Sequence, residues 1–195
     1  MKSYVQGLNL DLPVHFIDNS VYRTTGNTLS MVMGLKHCQK ETLILDGDVL
    51  YPPEALINYV QQTHRSSFAL VPADIKNDEC AKVLLNPSGT INAFITKRAL
   101  TEEEKSGFGF GGEAIGFFML RQEDVLRFVA LYENDEPTYR PVLWEIPFTE
   151  FARNTSLYPW NVVEEGCFEI DTQEDYATAF NRFQSHPDEY QLSQL

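Results

Sequence analysis

The stretch "ETLILDGDVLYPPEALINYV" (41–60) decides how the rest of the sequence is read. Its first part, "ETLILD" (41–46), is a short, largely apolar strand of the kind buried on both faces of a parallel sheet. Two carboxylates, Asp46 and Asp48, close it with one glycine between them. Pro52 and Pro53 then open a helix, because a first-turn proline lacks only an N–H that had no helical partner. Leu56, Ile57 and Val60 are its expected core stripe. One aspartate at a strand-to-helix junction is an ordinary helix cap. Two of them beyond a buried strand also suit a hard cation, since Mg²⁺ takes one or two carboxylates plus phosphate oxygens and water.

Strand and helix signals alternate outward from this stretch. "KSYVQGL" (2–8) reads as a short amphipathic helix and "PVHFIDN" (13–19) as a strand. Leu29, Val32, Met33 and Leu35 have helical spacing behind a cap at Asn27 or Thr28. "SSFALVPA" (66–73) is a second buried strand. "CAKVLLNPSGTINAFITK" (80–97) is a hairpin turning at Asn-Pro-Ser-Gly. The Gly-rich "SGFGFGG" (106–112) follows a charged loop and reads as a flexible flap. "EAIGFFML" (113–120) is a strand and "RQEDVLRFVALY" (121–132) a helix. The stretch 138–152 is helical in pattern, with Pro147 expected to kink or end it. "WNVVEEGCFEID" (160–171) is β-rich, and Thr172 with Asp175 caps the last helix. The tail after it is expected to be loose. Alternating elements imply an α/β sheet in a single domain, 1–195.

A second strand, "CFEID" (167–171), also ends in carboxylates, Glu169 and Asp171, and runs at once into a helix. In open α/β sheets ligands bind beyond the carboxyl ends of the strands. One aspartate from each acidic end would serve one Mg²⁺. The bland alternative is that each is only a cap.

Composition narrows the partners. The 195 residues carry a formal net charge of −13, which repels a nucleic-acid backbone but admits a phosphorylated small molecule alongside a cation. No apolar run approaches the ~18 residues of a membrane span, and the N-terminus lacks the apolar core of a secretory signal. Three isolated cysteines, without CxxC spacing, fit a reducing, cytoplasmic setting.

Four segments taken in order resemble the nucleotidyltransferase superfamily that joins a nucleoside triphosphate to a sugar phosphate or phosphocholine. They are "NSVYRTTGNTLSMVMGL" (19–35), "LILDGDVLYPPEAL" (43–56), "GEAIGFFMLRQED" (112–124) and "EIDTQEDYATAF" (169–180). The phosphocholine cytidylyltransferase-like branch is the most similar. The resemblance implies a Rossmann-like mixed, largely parallel sheet with flanking helices and a β-hairpin addition. It implies Asp48 and Asp171 as the Mg²⁺ pair, supported by Asp46 and Glu169, with Asp46, Asn27 and Ser30 near the nucleotide. Lys97 would act on the phosphate of the second substrate, and Glu113 and Glu169 would hold that substrate's polar end. A choline-type substrate also wants aromatic faces. Tyr132, Tyr139, Trp144, Tyr158 and Trp160 are the candidates.

One part of the family pattern has no counterpart. Relatives open with a strand and a Gly-rich loop whose N–H groups and cations grip the triphosphate. The sequence is therefore expected to be N-terminally truncated relative to the family, leaving an apolar strand edge unpaired. Three explanations follow: a truncated product or fragment, a binding protein that lost catalysis, or half of a split enzyme completed by another chain, and a homo-oligomer or such a complementing chain is the expected assembly. A phosphatase-like reading, with Asp46 as nucleophile and Asp48 as acid, lacks a supporting lysine and a later Asp pair.

Overall fold

The computed structural model describes residues 2–8, 10–78, 80–162 and 166–191. In chain order the elements are α1 (Lys2–Gly7), α2 (Asn27–Leu35), β1 (Thr42–Leu45), β2 (Val49–Leu50), α3 (Pro53–Gln62), β3 (Ser67–Val71), β4 (Lys82–Leu85) and β5 (Ile91–Ile95). Then follow α4 (Glu102–Gly107), β6 (Gly109–Leu120), α5 (Gln122–Asn134), α6 (Glu136–Tyr139), α7 (Glu145–Asn154), β7 (Tyr158–Asn161), β8 (Phe168–Glu169) and α8 (Gln173–Ser185).

The 12-residue β6 organises the molecule. One of its edges is shared by β4 along its first half and β1 along its second, while β3 takes the other edge and β7 lies outside β3. Its side chains alternate between two cores, as a strand's period of two requires. Ala114, Phe118 and Leu120 face the cluster covered by α2, α5 and α7, whereas Ile115, Phe117 and Met119 face Ala55 and Tyr59 of α3. The first cluster is aromatic. Phe68 stacks on Phe118 with ring centres 4.4 Å apart, and Phe128 stacks on Phe148 at 4.1 Å. On the other face the Tyr59 hydroxyl donates to the Ser67 carbonyl at 2.6 Å and accepts from the Met119 N–H at 2.9 Å.

The mixed α/β architecture is the expected one, but the sheet is not largely parallel. β1, β3, β4 and β7 point the same way, yet among the described residues only β3 and β7 are parallel neighbours. The reversed β6 lies between β3 and the β1 and β4 strands, so all three of its ladders are antiparallel.

Several local expectations change as well. "PVHFIDN" forms no ladder and runs exposed, with no strand beside it among the described residues. β1 is not buried on both faces; among the described residues only one of its edges is paired, and Leu45 is 40% exposed. In α3 the buried residues are Ala55 and Tyr59, one turn apart, in place of the expected stripe. Pro147 does not end α7, which runs on to Asn154, because it falls in the first turn, where its missing N–H has no partner to lose. The expected flap is ordered: Thr101 and Glu104 form a capping box on α4, and Gly109 begins β6. The capping box of Thr172 and Asp175 is present on α8. Beyond α8, residues 187–190 form a 3-10 turn, tied back by Arg182–Glu189 and by the Tyr190 hydroxyl on the Gly166 carbonyl at 2.8 Å. Residues 163–165 of the β-rich stretch and 192–195 of the tail lie outside the described residues.

Candidate active site

The two acidic strand ends become neighbours through a pair of backbone devices. Asp46 donates its N–H to the Gly116 carbonyl at 2.7 Å, hooking the end of β1 onto β6. Gly116 has φ +72°, and a Cβ there would stand 2.7 Å from the Asp46 carboxylate, so this approach needs glycine. The chain then turns through Gly47 and Asp48 into β2, whose ladder with β8 sets Val49 opposite Glu169. The Ile170 N–H donates to the Asp48 carbonyl at 2.9 Å. Asp46, Asp48, Glu169 and Asp171 thereby line one cavity of about 370 Å³, with Lys97 and Glu145 in its wall.

Electrostatics mark this cavity as short of positive charge. Burial, then the neighbouring Asp48, pushes Asp46 up to about 6, against an indole N–H donated by Trp144. Burial pushes Glu169 up to about 7, with Asp171, Glu113, Asp48 and Asp46 adding to it in that order. Five carboxylates face the cavity, and among the described residues Lys97 is the one Lys or Arg that does. Perturbed acids in a cleft are what a cation or a cationic substrate relieves.

The donor set suits a cation that arrives with phosphate. No group of three His, Cys, Asp or Glu side chains among the described residues converges tightly enough to hold an ion unaided. Asp48 and Asp171 offer two carboxylates, the number Mg²⁺ commonly takes when phosphates and water complete its shell.

Lys97 follows β5 in a left-handed conformation (φ +53°), the one non-glycine residue so placed among those described. Behind it Lys82 is fully buried, and its Nζ donates to the Arg98 carbonyl at 3.2 Å, bracing the Lys97 turn. Asn27 opens α2 and accepts the Trp144 backbone N–H on its side-chain oxygen at 2.9 Å, so the cap of α2 is Gly26 and not Asn27. Gly26 is required there, since a Cβ would meet the Val142 carbonyl at 1.8 Å.

Two expected residues lie beside the cavity and not in it. Glu113 faces an adjoining depression of about 580 Å³ that shares Glu169 and Asp171 in its wall. Burial raises its pKa most, while an N–H from Ala81 and the cross-strand Lys82 oppose that. Ser30 faces an apolar groove of about 400 Å³ along the unpaired edge of β1, walled by Met31, Leu35, Cys38 and Trp144. Its hydroxyl accepts from the Asn19 amide at 3.0 Å.

The aromatic candidates do not form a cage. Tyr132, Tyr139 and Trp144 are buried in the α-side core, though Trp144 shows an edge to the cavity. Tyr158 packs under Arg65, and Trp160 packs against Tyr59. Sequence reasoning also missed Glu145 and Lys82. An acid within "VLWEIPF" and a lysine opening a strand carry no local mark of burial, and both are set by packing.

No protein-family model and no curated protein matches the sequence. Solved structures do match. The CTP:phosphocholine cytidylyltransferase from Streptococcus pneumoniae superposes with a TM-score of 0.67 at 13% identity, over 91% of this chain and 72% of that one. HddC from Yersinia pseudotuberculosis gives 0.61 at 16% identity, over 93% and 72%. A UDP-glucose pyrophosphorylase complexed with UDP-glucose gives 0.56 at 11% identity, over 83% and 63%. At such identities the likeness is one of architecture: the chain shares its fold with these solved structures.

Proposed function

We propose that the protein transfers a nucleotidyl group from a nucleoside triphosphate, CTP favoured, to a phosphorylated small molecule such as phosphocholine or a sugar phosphate. The observation that carries this reading is the convergence of Asp48, Asp171 and Lys97 on one cavity within this fold. A phosphate oxygen of the acceptor attacks the α-phosphorus. The new P–O bond forms as the bond to the β-phosphate oxygen breaks, and pyrophosphate leaves. The residues contribute alignment and charge and no covalent step. Asp48 and Asp171 would hold Mg²⁺, which when bound neutralises phosphate charge. Lys97, stiffened by Lys82 behind it, steadies the acceptor phosphate. Asn27, at the mouth of α2, faces the nucleotide.

A second reading is a catalytically incomplete relative, a fragment or a half completed by another chain. It is favoured by the edge of β1 that no strand pairs with among the described residues, with its apolar groove, and by Lys97 being the one Lys or Arg lining the cavity among those residues. Calorimetry with CTP and Mg²⁺, followed by product detection after adding phosphocholine or a sugar 1-phosphate, separates the two. Mg²⁺-dependent CTP binding that Asp48→Asn abolishes, with pyrophosphate release, supports the transferase. A cooperatively folded chain that binds no nucleotide, or an Asp48→Asn variant with unaltered turnover, refutes it.

A further inference from the structure

Glu145 stands out among the groups that the reaction above leaves unused. It is the first residue of α7 and only 8% exposed, yet it lines the cavity. Its Oε2 is buried without a hydrogen-bond partner among the described residues. Leaving a buried acceptor unmade is costly, and more so for a carboxylate, so a partner that arrives with the ligand is the economical explanation. Its own backbone N–H serves the carboxylate, Asp46 is near enough to repel it and Lys97 near enough to attract it, but none of these supplies a hydrogen bond to Oε2.

The chemistry of the missing partner follows from its surroundings. The wall carries five carboxylates and one lysine, so a positively charged donor fits better than a neutral one. Of the aromatic candidates only Trp144 reaches the cavity, which leaves a methylated, donor-free ammonium no cage to enter. We propose that Glu145 is a specificity-determining residue whose Oε2 accepts an N–H from a protonated amine on the phosphorylated acceptor. The acceptor class is thus a phosphate ester bearing a primary ammonium, in preference to a quaternary one. This rests on the transferase reading for the position of the acceptor, whereas the burial of Glu145 does not.

The probes are phosphoethanolamine and phosphocholine, identical except that one carries N–H groups and the other methyls. Calorimetry on the CTP–Mg²⁺-loaded chain should show phosphoethanolamine binding roughly tenfold or more tighter, since a site built to take a hydrogen bond rejects the analogue lacking it. Glu145→Met, similar in reach without an acceptor, should erase that preference, and Glu145→Asp should keep part of it. Free of ligand, Glu145→Met should melt about 2–4 °C higher, because an unpaired buried carboxylate has been removed. Equal affinities in the wild type, or a preference that survives Glu145→Met, overturn the proposal. If neither ester binds, the transferase reading fails and the melting decides. A raised Tm then keeps Glu145 as a ligand-facing group, and an unchanged or lowered Tm makes it structural and ends the inference.

Discussion

The two edges of the acidic strand β1 have opposite fates. Along one, Thr42 to Leu45 are registered residue by residue against Leu120 to Phe117 of β6, whose side chains there are all buried. Along the other, no strand pairs with it among the described residues, Leu45 is 40% exposed, and the apolar groove lies beside it. The exposed segment that precedes α2 repeats the lesson. Leu10, Leu12, Val14 and Phe16 alternate as a strand should, yet they are exposed and build no ladder. A strand-like pattern supplies a surface that can pair, but pairing needs a partner edge brought to it by the rest of the chain. The carboxylates Asp46 and Asp48 follow β1 where these two regimes meet.

The sharpest way to break the contrast is to cut both sides and compare. Phe118→Ala, on the closed side among Phe68, Trp144 and Phe148, should cost about 3–5 kcal/mol in urea denaturation, as large-to-small changes in a packed aromatic core do. Gly116→Ala acts at the junction itself. Its φ of +72° and the contact with Asp46 predict a loss of about 1–3 kcal/mol and, on the proposed function, weaker Mg²⁺-dependent nucleotide binding as the end of β1 is pushed off β6. Leu45→Ala, on the open side, should cost under about 1 kcal/mol by the same denaturation. If it costs as much as Phe118→Ala, the edge is covered in solution. The companion measurement is sedimentation velocity of the wild type against Leu45→Lys, where dissociation of a dimer by lysine would show the same.

The smallest expected effect is electrostatic and lies away from β1, where α4 follows β5. Arg98 hydrogen-bonds Glu104 and holds its pKa down at about 2, from an ordinary 4.5. A carboxylate depressed in the folded state stabilises above its unfolded pKa, and loses that contribution as pH falls through 4.5 toward 2. The pair is partly solvated, so the loss should be under about 1 kcal/mol. Arg98→Ala should flatten the acid limb of the Tm profile over that window, and an unaltered limb would exclude the pair as its source.

Much of the site is legible in the sequence alone, because some residues announce chemistry by their place in a pattern. Carboxylates beyond an apolar run, as at Asp46, Asp48, Glu169 and Asp171, are read from a strand's end without knowing its neighbours. The Thr172–Asp175 box and the proline start of α3 are equally local, resting on unpaired first-turn N–H groups. Tertiary structure decided what depends on distant segments meeting. The β2–β8 ladder joins the two acidic ends, and β6 between its neighbours turns an expected parallel sheet mostly antiparallel. The Lys82 brace behind Lys97 and the buried Glu145, whose Oε2 has no hydrogen-bond partner among the described residues, arise from packing between elements far apart in sequence. Propensity and periodicity act over a few residues, whereas burial and hydrogen-bond partnership belong to the assembled core. For this protein, the identities of the carboxylates lay in the sequence, and their convergence on one cavity was decided only by the fold.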